Sequence, residues 1–276
     1  TLRAAWAGGL ARGLAAAGLP PVDAADVWFP FYGDALAEVL DNRERVTTGS
    51  VAGDGAGLTT AEAYAPDATS ARAVYEGLIE EAAGRAGMPA AEQGAPAEGL
   101  FDRFVVGLQP HLSWLANRSG LDDVVIAAAF RDVAAYLDQH QIRDAVLTNV
   151  LDTFPASGQV VLVSHSLGTV VALDLITRLP AGVEVPLLVT AGSPLGMDGV
   201  HKRLLTGGPQ QPDRVRGWVN AWCAADAVAI GCPLRPTWGG GVHDVLTDNA
   251  KDRAHDIEEY LADPRVARPI GDLLVP

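Results

Sequence analysis

A chain of 276 residues, 49% hydrophobic and 20% charged, is long enough for one large or two small domains and too apolar to be mainly disordered. It has no run of 18 or more apolar residues, so no membrane-spanning helix is expected. With 34 acidic against 20 basic side chains it carries a net charge of −14, which argues against nucleic acid as a partner, because phosphate binding needs clustered Lys and Arg. The acidity predicts solubility and names no ligand. The two cysteines, Cys223 and Cys232, form no CxxC and read either as buried thiols or as a short-loop disulfide.

Leu2, Trp6, Leu10 and Leu14 recur at helical spacing, and Gly18 with Pro20-Pro21 ends that first helix. The aromatic run Asp26 to Tyr32 reads as a strand, with Pro30 near its end, and Gly33-Asp34 opens a helix through about Arg45. Residues 47–71 lack periodicity and read as a loop; a short helix and a second loose stretch, 84–99, follow. Phe101 to Leu115 is helical and apolar. Residues 48–118 together read either as a cap-like insertion or as a surface excursion. Leu121 to Val150 is a long helical pattern broken near Asp138. In the second half, the apolar runs 159–163, 185–190, 217–223 and 242–247 alternate with helices. Continuous apolar strands imply burial on both faces, hence an α/β fold with a mostly parallel sheet covered by helices.

The strongest local signal is the strand Val160-Val161-Leu162-Val163 running into Ser164-His165-Ser166-Leu167-Gly168 and then directly into an apolar helix. A serine on such a strand–turn–helix junction projects its Oγ above the sheet edge. Small residues two before and two after it allow the close approach, Ser164 standing where glycine is usual. Ser166 would also sit at a helix N-terminus, which favours developing negative charge, and the N–H of Leu167 would serve as an oxyanion donor. The bland alternative is a turn whose serine caps the helix. His165 reads as a packing residue, because adjacent side chains diverge there.

A nucleophilic serine of this kind needs an acid and then a base further along the chain. Asp226 follows the strand Trp218 to Cys223, at the end where α/β sheets place functional groups; Asp198, Asp213 and Asp244 are weaker candidates. His255, at the start of the closing helix, fits the base better than His243, which would point sideways from a strand. His111, His140 and His201 lack such a context. No HExxH or Cys/His cluster suggests a metal, and Gly53 to Gly57 follows no strand, so it is no dinucleotide fingerprint; no cofactor is expected.

The Ser164–Gly168 motif, Ala191-Gly192-Ser193-Pro194-Leu195-Gly196, Trp218-Val219-Asn220 with Asp226-Ala227-Val228-Ala229, and His255 with Tyr260-Leu261 together resemble serine hydrolases of the α/β-hydrolase fold, in their esterase/lipase-like branch. The resemblance covers about two thirds of the chain and is strongest from Asp132 to Leu261; residues 48–118 match nothing in it. It implies one domain over 1–276 in which 48–118 is a cap or lid. It also implies a triad of Ser166, Asp226 and His255 cleaving a carboxylic ester through an acyl-enzyme, with a small ester or acyl compound as substrate. Thioesterase, acyltransferase or peptidase chemistry would use the same residues, and a non-catalytic binding module on the same fold is the alternative of another class. Where that branch carries a first Asp in W-x-N-x-x-D-x-x-D-x-V, this chain has Cys223. Its usual His-Gly oxyanion loop has no counterpart. The strand and loop would precede Thr1, so the first strand is expected to be missing, or another loop substitutes, or the site is impaired; one lost oxyanion donor costs about 10²–10³ in rate. With no signal peptide in view, the cytoplasm is the expected location.

Overall fold

The computed structural model describes residues 1–30, 32, 33, 36, 59–89 and 107–274. Among the described residues four strands, β1 (Ser157–His165), β2 (Gly182–Ala191), β3 (Val215–Cys223) and β4 (Val242–Thr247), form one sheet in the order β1-β2-β3-β4 with every pairing parallel. The four apolar runs seen in the sequence all fall within these strands. Val185, Leu188, Val189 and Ala221 are fully buried, because helices cover both faces and neither face needs a polar alternation.

In chain order the helices bounded within the described residues are α1 (Leu2–Ala16), α2 (Thr60–Ala63), α3 (Thr69–Arg85), α4 (Gln109–Ser119), α5 (Asp123–Asp138), α6 (His140–Leu151), α7 (Leu167–Ile176), α8 (Asp198–His201), α9 (Arg235–Trp238), α10 (Ile257–Ala262) and α11 (Pro264–Leu274). The expected break near Asp138 is the single residue Gln139, extended at φ −101°, ψ 103°, between α5 and α6. None of the described helices is long and apolar enough to cross a membrane.

Three expectations are revised. The segment after Asp26 carries no strand among its described residues. A 3-10 turn occupies Ala24–Asp26, and the aromatics that follow pack edge-on, Phe29 against Trp6 and Trp28 against Phe154, with ring centroids 5.5 and 5.0 Å apart. The stretch read as a loop over 47–71 contains α2, closed by a reciprocal Thr59–Glu62 capping box, and the start of α3. Third, the apolar stripe of α1 is only part of its seat: Leu14 is fully buried and Trp6 and Leu10 pack half-buried against the core. Leu2 is 51% exposed, whereas Gly9 and Gly13 face α10 so closely that a Cβ on Gly13 would run into the Leu261 carbonyl oxygen. Small residues let the two helix backbones approach. The helix expected over about 33–45 and the segments 47–58 and 90–106 lie outside the described residues, apart from Gly33 and Leu36.

The described part of 48–118 is tied to the rest of the chain. Helix α3 packs on α4, α5 and α8, burying Tyr75, Leu78 and Ile79, and Glu81 accepts from the backbone N–H groups of Asp198 and Gly199 at 2.7 and 2.9 Å. Between α5, α6 and α7 lies a buried polar knot. Asp174 accepts from the Tyr136 hydroxyl (3.1 Å) and the Leu205 N–H (2.8 Å) and faces the Arg143 guanidinium at 3.4 Å.

Strand register brings the carboxyl ends of the sheet level: His165 lies beside Ala191, Ala191 beside Ala221, and Ala221 beside Val245. Residues that follow these strands are therefore neighbours, wherever they fall in the chain. That edge is where open α/β sheets carry their ligands.

Candidate active site

Ser166 occupies the one-residue corner between β1 and α7. Its backbone sits at φ 52°, ψ −130°, the only positive φ at a non-glycine position among the described residues. A conformation of that kind costs on the order of 1–3 kcal/mol and persists only where the surroundings enforce it. Here the Ser166 N–H donates to the Ala191 carbonyl (3.1 Å), and Thr169 Oγ1 donates to the Ser166 carbonyl (2.7 Å). With its own hydrogen so used, Thr169 Oγ1 accepts from Ser193 Oγ at 2.8 Å, which ties the corner to the loop after β2. Ser164, in the position where glycine was expected, fits because its hydroxyl turns aside to the Val189 carbonyl at 2.9 Å.

Asp226 and His255 arrive at the same corner. His255 Nε2 lies 3.0 Å from Ser166 Oγ, and His255 Nδ1 lies 2.8 Å from Asp226 Oδ2. An ionised carboxylate only accepts, so the neutral imidazole carries its proton on Nδ1 and offers the Nε2 lone pair to the serine hydroxyl. The remaining oxygen of Asp226, Oδ1, accepts from the Val228 N–H at 2.8 Å, and Tyr260 donates its hydroxyl to Oδ2 at 2.6 Å. Burial opposes charge on Asp226. The His255 charge and these three donors outweigh it and hold its carboxyl below the ordinary range. Burial likewise opposes a charged His255, yet the Asp226 carboxylate prevails and its pKa lies above the ordinary histidine value.

Gly192 makes this pairing sterically feasible. It sits at φ +53°, and a Cβ there would stand 2.9 Å from Asp226 Oδ2 and 3.1 Å from His255 Nδ1. On the opposite side His165 packs its ring on that of His255, centroids 4.5 Å apart, and donates from Nε2 to the His255 carbonyl at 2.8 Å. Burial, and then the proximity of His255, push His165 down to about 3, so it acts as a neutral brace.

The loop that bears Asp226 is anchored by a polar ladder across the sheet. Trp218 Nε1 donates to Thr190 Oγ1 (3.0 Å), Thr190 to Asn220 Oδ1 (2.9 Å), and Asn220 Nδ2 to Asp244 Oδ1 (2.8 Å). Asp244 closes the far end of the loop by accepting from the Leu234 and Arg235 N–H groups. This disposes of Asp244 as the acid. Asp198 is engaged by Arg85 and Lys202, and Asp213 lies at the amino end of β3. His243 is exposed on β4, and His201 packs against Trp238. Leu167, the proposed oxyanion donor, opens α7, where first-turn amides have no partner within the helix. Both cysteines are free thiols, Cys223 buried and Cys232 partly so.

Beside Asp226 lies a cavity of about 170 Å³ between the loop after β3 and the C-terminal turns of α3 and α4, with Arg85, Leu115 and Arg118 on its outer wall. Helices from within 48–118 thus reach the edge of the sheet that carries Ser166. Among the described residues no group of three His, Cys, Asp or Glu is arranged to hold a metal ion. Tyr260 is the participant that residue-by-residue reading gave no role; its one signal was its place shortly after His255. No protein-family profile, no curated protein and no solved structure matches this chain.

Proposed function

We propose that this protein is a serine hydrolase on an α/β-hydrolase-type sheet, cleaving a carboxylic ester through an acyl-enzyme. The observation that carries the reading is the continuous hydrogen-bond chain Ser166–His255–Asp226, built on a strained serine corner. In the proposed reaction Ser166 Oγ attacks the ester carbonyl carbon as its proton passes to His255 Nε2. The Leu167 N–H, at the positive end of α7, would stabilise the resulting oxyanion. Collapse breaks the bond to the alcohol oxygen, which leaves with the proton from His255. Water then attacks the acyl-enzyme, gives its proton to His255, and Ser166 recovers it as the acid departs. Helices α3 and α4 would form part of the cap over the substrate, next to the cavity beside Asp226.

A fluorophosphonate probe tests this reading. The folded wild type should be labelled, Ser166→Ala should lose all labelling, and His255→Ala should lose most of it. A folded wild type that stays unlabelled would sink the proposal.

A further inference from the structure

Asp226 is not left to His255 alone. Its Oδ2 receives two donors at once, the Nδ1–H of His255 at 2.8 Å and the hydroxyl of Tyr260 at 2.6 Å, the shorter of the two. Tyr260 is fully buried on α10, its ring edge lies against Gly192, and its hydroxyl has the Asp226 carboxylate as its partner. Burial and then the nearby carboxylate keep the phenol protonated, so it stays a donor. A buried carboxylate that spends all its charge on one imidazole holds the imidazolium tightly, and a base whose proton is held tightly is poorly available near neutral pH. A second strong donor on the same oxygen withdraws charge from that contact.

We propose that Tyr260 is a positioning residue that shares Oδ2 of Asp226 with His255 and thereby lowers the basicity of His255. This rests on the hydrolase reading for its purpose, though not for its test. Other groups facing the cluster are His165 from β1, Cys223 at the end of β3, Cys232 in the following loop with Asp244 beyond it, and Asp256, paired with Arg253 at 2.8 Å, ahead of α10. His165, held at about 3, and Cys232, which burial pushes up to about 12, stay uncharged through the neutral range.

The pKa of His255 is to be measured by NMR of the ¹⁵N-histidine-labelled full chain, the resonance being assigned by its loss in His255→Gln. In Tyr260→Phe, the carboxylate charge falls back on the imidazole and the His255 pKa should rise by roughly 0.5–1 unit. Replacing Tyr260 by 3-fluorotyrosine, a stronger donor of nearly the same shape, should move it the other way. A tyrosine that merely fills space would leave the value unchanged in both variants, or lower it in Tyr260→Phe by loosening Asp226; either result overturns the assignment. If Tyr260→Phe does not fold, the fluorotyrosine protein still decides, since it keeps every packing atom. The pH midpoint of fluorophosphonate labelling should follow the NMR value in each protein. An unlabelled wild type would count against the hydrolase reading alone, whereas an unshifted titration would count against Tyr260 alone.

Discussion

Ser166, Asp226 and His255 were legible one by one because each obeys a local rule: a serine between an apolar strand and an apolar helix, an acid just past a strand, a histidine after it in the chain. What no local rule supplies is the surroundings of the acid. Tyr260, Val228 and Gly192 meet at Asp226 only through the level strand ends. The dependence of His255 on that acid has a measurable sign. Because the carboxylate holds His255 above the ordinary histidine value of 6.5, its neutral form, the reactive one on the proposed hydrolase reading, is lost as pH falls through a midpoint that should lie above 6.5 in a labelling-rate profile. Asp226→Asn removes the opposing charge but leaves the burial. The midpoint should then fall, and the rate at its plateau should drop by about 10³–10⁴, as expected where an amide in the acid's place favours the wrong imidazole tautomer.

At the level of elements, strands were the most readable features. A buried parallel strand needs a continuous apolar run, and all four runs lie in the sheet. Amphipathic spacing found α1 and its packed side chains Trp6, Leu10 and Leu14, but periodicity reports where large side chains recur and says nothing about the glycine part of the seat. The aromatic run after Asp26 misled for a related reason. Its residues are strand formers by type, but a strand exists only through its ladder, and Trp28 and Phe29 are taken up by edge-on contacts instead. The glycine seat makes an unusual stability prediction. Gly→Ala within a helix ordinarily gains up to about 1 kcal/mol from propensity. Gly13→Ala should lose about 1–3 kcal/mol instead, because the added methyl must push α10 off α1. Urea unfolding of the two proteins checks the sign directly.

Over the whole molecule, the polar knot at Asp174 is the clearest case of parts held together by what they bury. Arg143 donates to the Leu137 and Arg203 carbonyls, both at 2.9 Å, and stacks over the Tyr136 ring while facing Asp174. The pair therefore joins α5, α6 and α7 to the loop after α8. Both members are removed from water, at 5% and 0% side-chain exposure, so deleting one strands the other. Asp174→Ala should cost about 3–5 kcal/mol by denaturant midpoint, although the residue lies outside the Ser166 corner. The spacing of the sequence does not join the members of this knot, although Asp174 is the lone charge on the otherwise apolar α7.

The seat of α1 has a further consequence in time. Arg12 reaches the Glu258 carbonyl and Arg268 the Ala17 carbonyl across 246 and 251 positions of chain. At roughly 5–20 residues per second, a ribosome leaves α1 waiting on the order of 10–50 s for α10 and α11 to emerge. Throughout that interval Gly9 and Gly13 lack the backbone they pack against in the finished protein. The seat of α1 is thus completed only once the helix that bears Tyr260 has emerged.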